Sequence, residues 1–465
     1  MKNIDVHSPF DNSIVGHAPF YDLDEVKNKI NIAHETFSNK EKVLPKYKRV
    51  EILEKLVGIL SSQKEELTKL CASEGGKPWA DSKVEVERGI NGVKITIEAL
   101  NTLEGREVAM GHTVSSANRM AFTFKEPIGV VAAISAFNHP FNLAIHQIIP
   151  AIAVGCSVVI KPAIQTPLSA FRLCELLKEA GLPEGWATAV VCDREASEFL
   201  ATSPKISFLT FIGSASVGWY LNSKVAPGTR VALEHGGVAP VIVEADADIK
   251  ELIPAIGKGG FYHAGQVCVS VQRVYVHSSI VDEVASKLTE YAKNLKVGNQ
   301  LDETTEVGPL INNKEVDRIE LWILEAKESG AEILTGGERI SASCYEPTVI
   351  LNPSEDTLVS QKEVFGPVVC IYSYEDIDEA IKRANALNFS FQAAIFTNNI
   401  DTAFKAVGEL NATAVMVNDH TAFRVDWMPF GGAKKSGLGM GGIHHSMKEM
   451  TTEKMMVFKS KSLQR

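Results

Sequence analysis

Short, continuous apolar runs recur along the chain, separated by segments with helical spacing. IGVVAAISAF (128–137), CSVVIKP (156–162), WATAVVC (186–192) and ISFLTFIG (206–213) lack polar alternation, as strands covered on both faces should. Between the second and third, TPLSAFRLCELLKEAG (166–181) puts Leu173, Leu176, Leu177 and Ala180 on one helical face, and Gly181 suits its C-terminal cap. Such strand–helix–strand alternation predicts a parallel sheet with crossover helices. A second series follows Glu234. PVIVEA (240–245) and SVQRVYVH (270–277) read as strands, and 248–263 and 281–295 as helices. Residues 25–105 are mostly helical in pattern. GREVAMGHTVSSANRMAFTFKEP (105–127) is polar and alternating, and predicts a protruding hairpin.

Composition narrows the class. A chain of 465 residues predicts two or three domains, and 45% apolar with 22% charged residues is ordinary for a globular protein. A net charge of -10 argues against a nucleic-acid partner, which needs a basic face. From Pro127 to Ile160 no charged residue occurs. Asn138, His139, Pro140, Asn142, His146, Gln147 and Pro150 make this run a poor membrane span, and a buried strand, polar loop, helix and strand fit it better. The seven cysteines are scattered and form no CxxC pair, so no zinc or redox motif is expected. The N-terminus lacks an apolar signal region. The expected location is cytoplasmic, with reduced thiols.

Three segments carry candidate chemistry. In GGFYHAGQVCVS (259–270), Cys268 follows glycines that permit unusual backbone angles; taken alone it is either a nucleophile or a buried structural thiol. In RVALEHGGVAP (230–240), Glu234 ends an apolar strand, as either a paired structural charge or a general base. In FIGSASVG (211–218), a strand ends at Gly213 and Ser214 opens a helix whose amides suit a pyrophosphate; a plain turn is the alternative. GLGMGG (437–442) matches a dinucleotide fingerprint, but too few residues follow it for a βαβ unit, and it reads as a turn.

Together these segments resemble the aldehyde dehydrogenase superfamily over nearly the whole chain. SPFDNSIVG (8–16), AFNHPFN (136–142), VVIKPAIQTP (158–167), FIGSASVG, LEHGG (233–237), GQVC (265–268), EVFGPV (363–368) and MPFGGAKKSGLG (428–439) match its motifs in order. The resemblance implies an α/β fold of two parallel-sheet Rossmann-type domains with a small β oligomerisation arm. It implies an NAD(P)-binding domain at 1–106 and 127–235, a catalytic domain at 236–435, and the arm and tail at 107–126 and 436–465. It implies Cys268 as nucleophile, Glu234 as base and Asn138 as oxyanion donor. NAD or NADP would be held by Lys161, Gly213, Ser214, Val217, Glu363 and Phe365. No metal is implied.

Departures sharpen the expectations. Ile164 stands where many NAD-preferring members carry a glutamate that bonds the adenosine ribose, which leaves NADP open. His235 replaces the usual leucine and either tunes Glu234 or fills space. Arg424, in the loop 418–428, either binds an anionic substrate tail or forms a surface salt bridge. The C-terminal pattern resembles the branch of lactaldehyde and non-phosphorylating glyceraldehyde-3-phosphate dehydrogenases. Val267 replaces the arginine that phosphate-binding members carry, so the expected substrate is lactaldehyde or a small carboxylate semialdehyde. The rivals are a CoA-acylating dehydrogenase and a catalytically silent homologue. A homodimer or homotetramer is implied, with no nucleic-acid or membrane partner.

Overall fold

The computed structural model describes residues 2–463; Met1, Gln464 and Arg465, the ends of the first expected domain and of the tail, lie outside the described residues. The first sheet has six strands, in the order Gly437–Leu438, Arg230–Glu234, Ile206–Ile212, Val130–Ile134, Val158–Lys161 and Ala187–Ala189. All neighbours are parallel except the first pair. Val130–Ile134 is buried throughout, as an uninterrupted apolar run between two helical layers should be. The chain adds strands on one side of it, then returns to add Ile206–Ile212 on the other. This reversal opens a crevice at the carboxyl ends of the two strands, where ligands of open α/β sheets bind.

The uncharged stretch 127–160 becomes that central strand, the helix Pro140–Val154 and the strand Val158–Lys161. Every residue of the helix is buried, which explains why it shows no polar stripe. Its N-terminus is capped from another helix. Buried Glu85 accepts from Phe141 N at 2.9 Å and Asn142 N at 3.0 Å, and pairs with buried Lys77. Among the described residues no helix is long and apolar enough to cross a membrane.

The second sheet has seven strands, in the order Glu332–Thr335, Thr348–Leu351, Val368–Tyr374, Arg273–His277, Pro240–Val243, Gln392–Phe396 and Ala414–Val417. The chain passes between the sheets through Gly236 and Gly237. A third, three-stranded sheet forms the arm, where Arg119–Pro127 pairs with Glu107–Val108 on one side and with Thr451–Lys459 on the other. The hairpin expected at 105–127 is therefore present, but its longer partner comes from the C-terminus.

Two expectations change in detail. The run 186–192 divides: Ala187–Ala189 joins the first sheet, while Val191–Cys192 pairs with Phe20 and Tyr21 beside the N-terminal strand pair. The segment 436–465 also divides. Gly437–Leu438 forms the edge of the first sheet, and Ile443 and Met447 of the helix Ile443–Glu449 are buried in that unit's core. Both splits depend on long-range pairing.

Ile148, fully buried between the first sheet and its helices, tests this core. Ile148→Ala is expected to lower the unfolding free energy by about 2–5 kcal/mol, read as a drop in the urea midpoint without a change in slope.

Candidate active site

The carboxyl ends of the first sheet and the amino ends of the second face one another across a cleft of about 610 Å³. All the candidate residues line it: Asn138, Lys161, Ile164, Gly213, Ser214, Val217, Glu234, Cys268, Glu363, Phe365 and Arg424. Lys161, Ile212 and Glu234 are the last residues of their strands. Cys268 and Glu363 lie just before strands of the second sheet.

Cys268 reaches the cleft through a strained turn. The helix Ile249–Phe261 ends, and His263, Ala264 and Gly265 take φ values of 48°, 54° and 68°. Three successive left-handed residues, two of them not glycine, reverse the chain sharply. A side chain at Gly265 would strike the carbonyl of Gly366, so the bare Cα lets the Cys268 segment press against the Glu363 segment. Gln266 fixes the far side of the turn. Its Oε1 accepts from Ile311 N at 2.9 Å, and its Nε2 donates to the carbonyls of Pro309 and His263 at 3.3 Å.

The Cys268 thiol points at Glu234 Oε1, 3.9 Å away. Burial pushes the thiol well above its ordinary value, and the carboxylates of Glu234 and Glu363 add to the shift, against Arg424. Burial likewise raises Glu234, opposed by Arg424 and by the thiol's hydrogen bond. Burial therefore favours the uncharged form of both groups and makes the carboxylate that the thiol points at a stronger base. Asn138 Nδ2 donates to Gln266 O at 2.9 Å, which aims the amide at the same place.

The opposite half of the cleft suits a dinucleotide. Ser214 caps the helix Ala215–Asn222 without using its hydroxyl, which leaves the first-turn amides free. Burial lowers the Lys161 ammonium below its ordinary range. Ile164 and Val217 are 45% and 46% exposed, which gives an apolar ledge. Glu363 is pushed up to about 8 by burial, against the nearby Arg318, and its Oε1 is buried without a partner among the described residues. An orphaned carboxylate oxygen of this kind fits a ligand's hydroxyl groups. Phe365, held at φ 47°, meets Phe137 edge to face at 5.7 Å.

His235 does not hydrogen-bond the Glu234 carboxylate. Its Nδ1–H donates to Gly213 O at 2.8 Å, and its ring packs against Phe211 and Trp219. Of the two roles open to it, packing is the one the geometry shows.

Arg424 is part-buried in the cleft wall rather than held in a surface salt bridge. It lies 3.5 Å above the Phe430 ring, and its Nε has no partner among the described residues. Beside it, Arg88 also lines the cleft and is clamped by Asp426, through Nη2–Oδ1 at 2.7 Å and Nε–Oδ2 at 3.2 Å. His146 Nε2–H donates to the same Oδ1 at 2.9 Å. Sequence reading missed Arg88, Asp426, Gln266 and Arg318. Arg88 lies in a helix and Asp426 in a distant loop, so no local pattern marks the pair.

The sheets, the crevice and the thiol–carboxylate pair define a nucleotide-dependent oxidoreductase of α/β architecture. The chain belongs to the aldehyde dehydrogenase family, whose model matches residues 1–456. It is 42% identical over 435 residues to a 3-sulfolactaldehyde dehydrogenase of Priestia megaterium, covering 93% of this chain and 90% of that one. It is 38% identical over 463 residues to a lactaldehyde dehydrogenase of Methanococcus maripaludis, covering 98% and 97%. Two solved structures superpose with a TM-score of 0.94: aldehyde dehydrogenase 21 of Physcomitrella patens with its product succinate (34% identity, covering 98% and 95%), and a glyceraldehyde-3-phosphate dehydrogenase of Methanocaldococcus jannaschii complexed with NADP (35%, covering 98% and 99%). The protein is thus an NAD(P)-dependent aldehyde dehydrogenase.

A side chain at Gly236 would overlap the Glu363 carboxylate. Gly236→Ala is expected to displace that carboxylate at a cost of about 1–3 kcal/mol, read as a loss of nicotinamide cofactor affinity on the order of 10-fold in a fluorescence titration.

Proposed function

We propose that the protein oxidises a short aldehyde with an anionic tail to its carboxylic acid, through a covalent intermediate on Cys268. The observation that carries this reading is the Cys268–Glu234 approach of 3.9 Å in the cleft that also holds Arg424. Glu234 takes the thiol proton, and the thiolate attacks the aldehyde carbon. The Asn138 amide and the Cys268 backbone N–H stabilise the oxyanion of the resulting thiohemiacetal. A bound nicotinamide supplies the hydride acceptor that converts this adduct to a thioester. Glu234 gives up the first proton to solvent, then takes one from water as hydroxide adds to the thioester carbon, and the Cys268 thiolate leaves with release of the acid. The raised pKa of Glu234 supports its service as the base in both steps.

Glu363 and Lys161 would hold the two riboses, Gly213 and Ser214 the pyrophosphate, Val217 the adenine and Phe365 the nicotinamide end. Both cofactors are accepted on this reading. The Lys161 ammonium makes no ion pair among the described residues, and Ile164 offers no carboxylate to repel a 2′-phosphate. Arg424 would take the anionic end of the substrate. The sulfolactaldehyde and succinate named for the relatives are anionic compounds of matching size. The arm strand Thr451–Lys459, with Met455, Met456, Val457 and Phe458 exposed, supports association into a dimer or tetramer. The free thiols fit a reducing, cytoplasmic setting.

A panel of short aldehydes scored by NAD(P)H absorbance tests the activity. Glu234→Gln is expected to lower steady-state turnover by about 10²–10⁴-fold and to slow the first-turnover burst of reduced cofactor, since both steps use this base. Cys268→Ala should abolish the burst as well. Normal turnover in either variant, or a requirement for CoA, defeats the proposed mechanism.

The cofactor reading is tested by kinetics with NAD and NADP. Wild type should use NADP at least as well as NAD. Ile164→Glu should move the ratio toward NAD on the order of 10-fold, since the new carboxylate faces the 2′-phosphate. A wild type that strongly prefers NAD rules the reading out.

A further inference from the structure

The substrate half of the cleft contains two guanidinium groups in unlike states. Arg88 is matched by Asp426 through two hydrogen bonds of 2.7 and 3.2 Å, and the Asp426 side chain is 2% exposed. Arg424 is part-buried over the Phe430 ring, and its buried Nε lacks a partner among the described residues. The remaining groups add little positive charge. His139 and His146 are held neutral, both by burial first; Lys77 then works against the charge on His139. Lys77 itself is paired with Glu85. Glu234 faces Arg424 but is reserved for the thiol.

We propose that the substrate tail is a monoanion, a sulfonate or carboxylate, and that Asp426 sets this charge by neutralising Arg88 and leaving Arg424 as the one uncompensated guanidinium here among the described residues. This rests on the reading of Arg424 as the anion site. A phosphate ester carries about −1.5 to −2 charges at pH 7 and would need a second free cation to offset its desolvation. Arg88 stands close enough to line the same space, yet its fork is already filled by a carboxylate. The two arginines shift in opposite directions. Burial weakens the hold of each on its proton, but Asp426 more than reverses this for Arg88, whereas Glu234 does not for Arg424.

The test compares kcat/KM for three 2-hydroxypropanals that differ only at the third carbon, which carries a sulfonate, a phosphate ester or hydrogen. Wild type at pH 8 should favour the sulfonate over the phosphate ester on the order of 100-fold. Equal or greater use of the phosphate ester overturns the proposal. Asp426→Asn frees Arg88 and should shift the ratio toward the phosphate ester on the order of 10-fold; an unchanged ratio removes Asp426 from the account. If that variant does not fold, the wild-type comparison still decides the tail charge. Arg424→Met should bring the sulfonate down to the level of the uncharged compound. Should the sulfonate keep its advantage there, the Arg424 reading itself fails. If the advantage is lost but wild type takes both anions equally, only the monoanion inference fails.

Discussion

A carboxylate at the end of one sheet and a thiol just ahead of a strand of the other meet at 3.9 Å in part-buried space, and the surrounding structure serves that meeting. Glu234 is delivered by the last position of a parallel strand, where the backbone is fixed on both sides. Cys268 arrives from the helix Ile249–Phe261 through the left-handed turn at 263–265. Neither position tolerates drift, because a buried carboxylate without its partners is expensive. Gly236 and Gly265 allow the approach, since each lies where a Cβ would collide with the facing segment. Gln266 and Glu85 then hold the thiol segment and the Asn138 helix in place with buried hydrogen bonds.

The cleft is divided by charge. Among the described residues its cofactor half contains a buried carboxylate oxygen without a partner, a lysine that makes no ion pair, and free helix amides. Its substrate half contains a neutralised arginine and a bare one. Burial supplies the largest shift at Cys268, Glu234 and Glu363 alike, so the site's proton chemistry follows chiefly from exclusion of water.

Continuous apolar runs were enough to place the central strands Val130–Ile134, Val158–Lys161 and Ile206–Ile212 of the first sheet, since strands covered on both faces have little else to be. The helix Leu168–Glu179 was legible from its own periodicity, because one of its faces meets solvent. The divisions of 186–192 and 436–465 were not, since they depend on pairing with residues far away in the chain. In the site, Cys268 and Glu234 stood out through local glycines and strand ends. Asp426 and Arg88, 338 positions apart, had no such signal. Arg424 was visible as a residue but not as a part-buried one, because its packing on the Phe430 ring cannot be read from the local sequence.

Arg424 and Asp426 occupy one short loop, two positions apart, and Asp426 ties that loop to Arg88 and His146 on the facing helices. The nucleophile, the base and the amide donor are anchored elsewhere. On the proposed reading of Arg424, choice of substrate and chemical competence are therefore written in separable parts of the chain. A lineage can exchange the anion it accepts by editing a single loop and one helical residue, while the inherited reaction passes on unaltered.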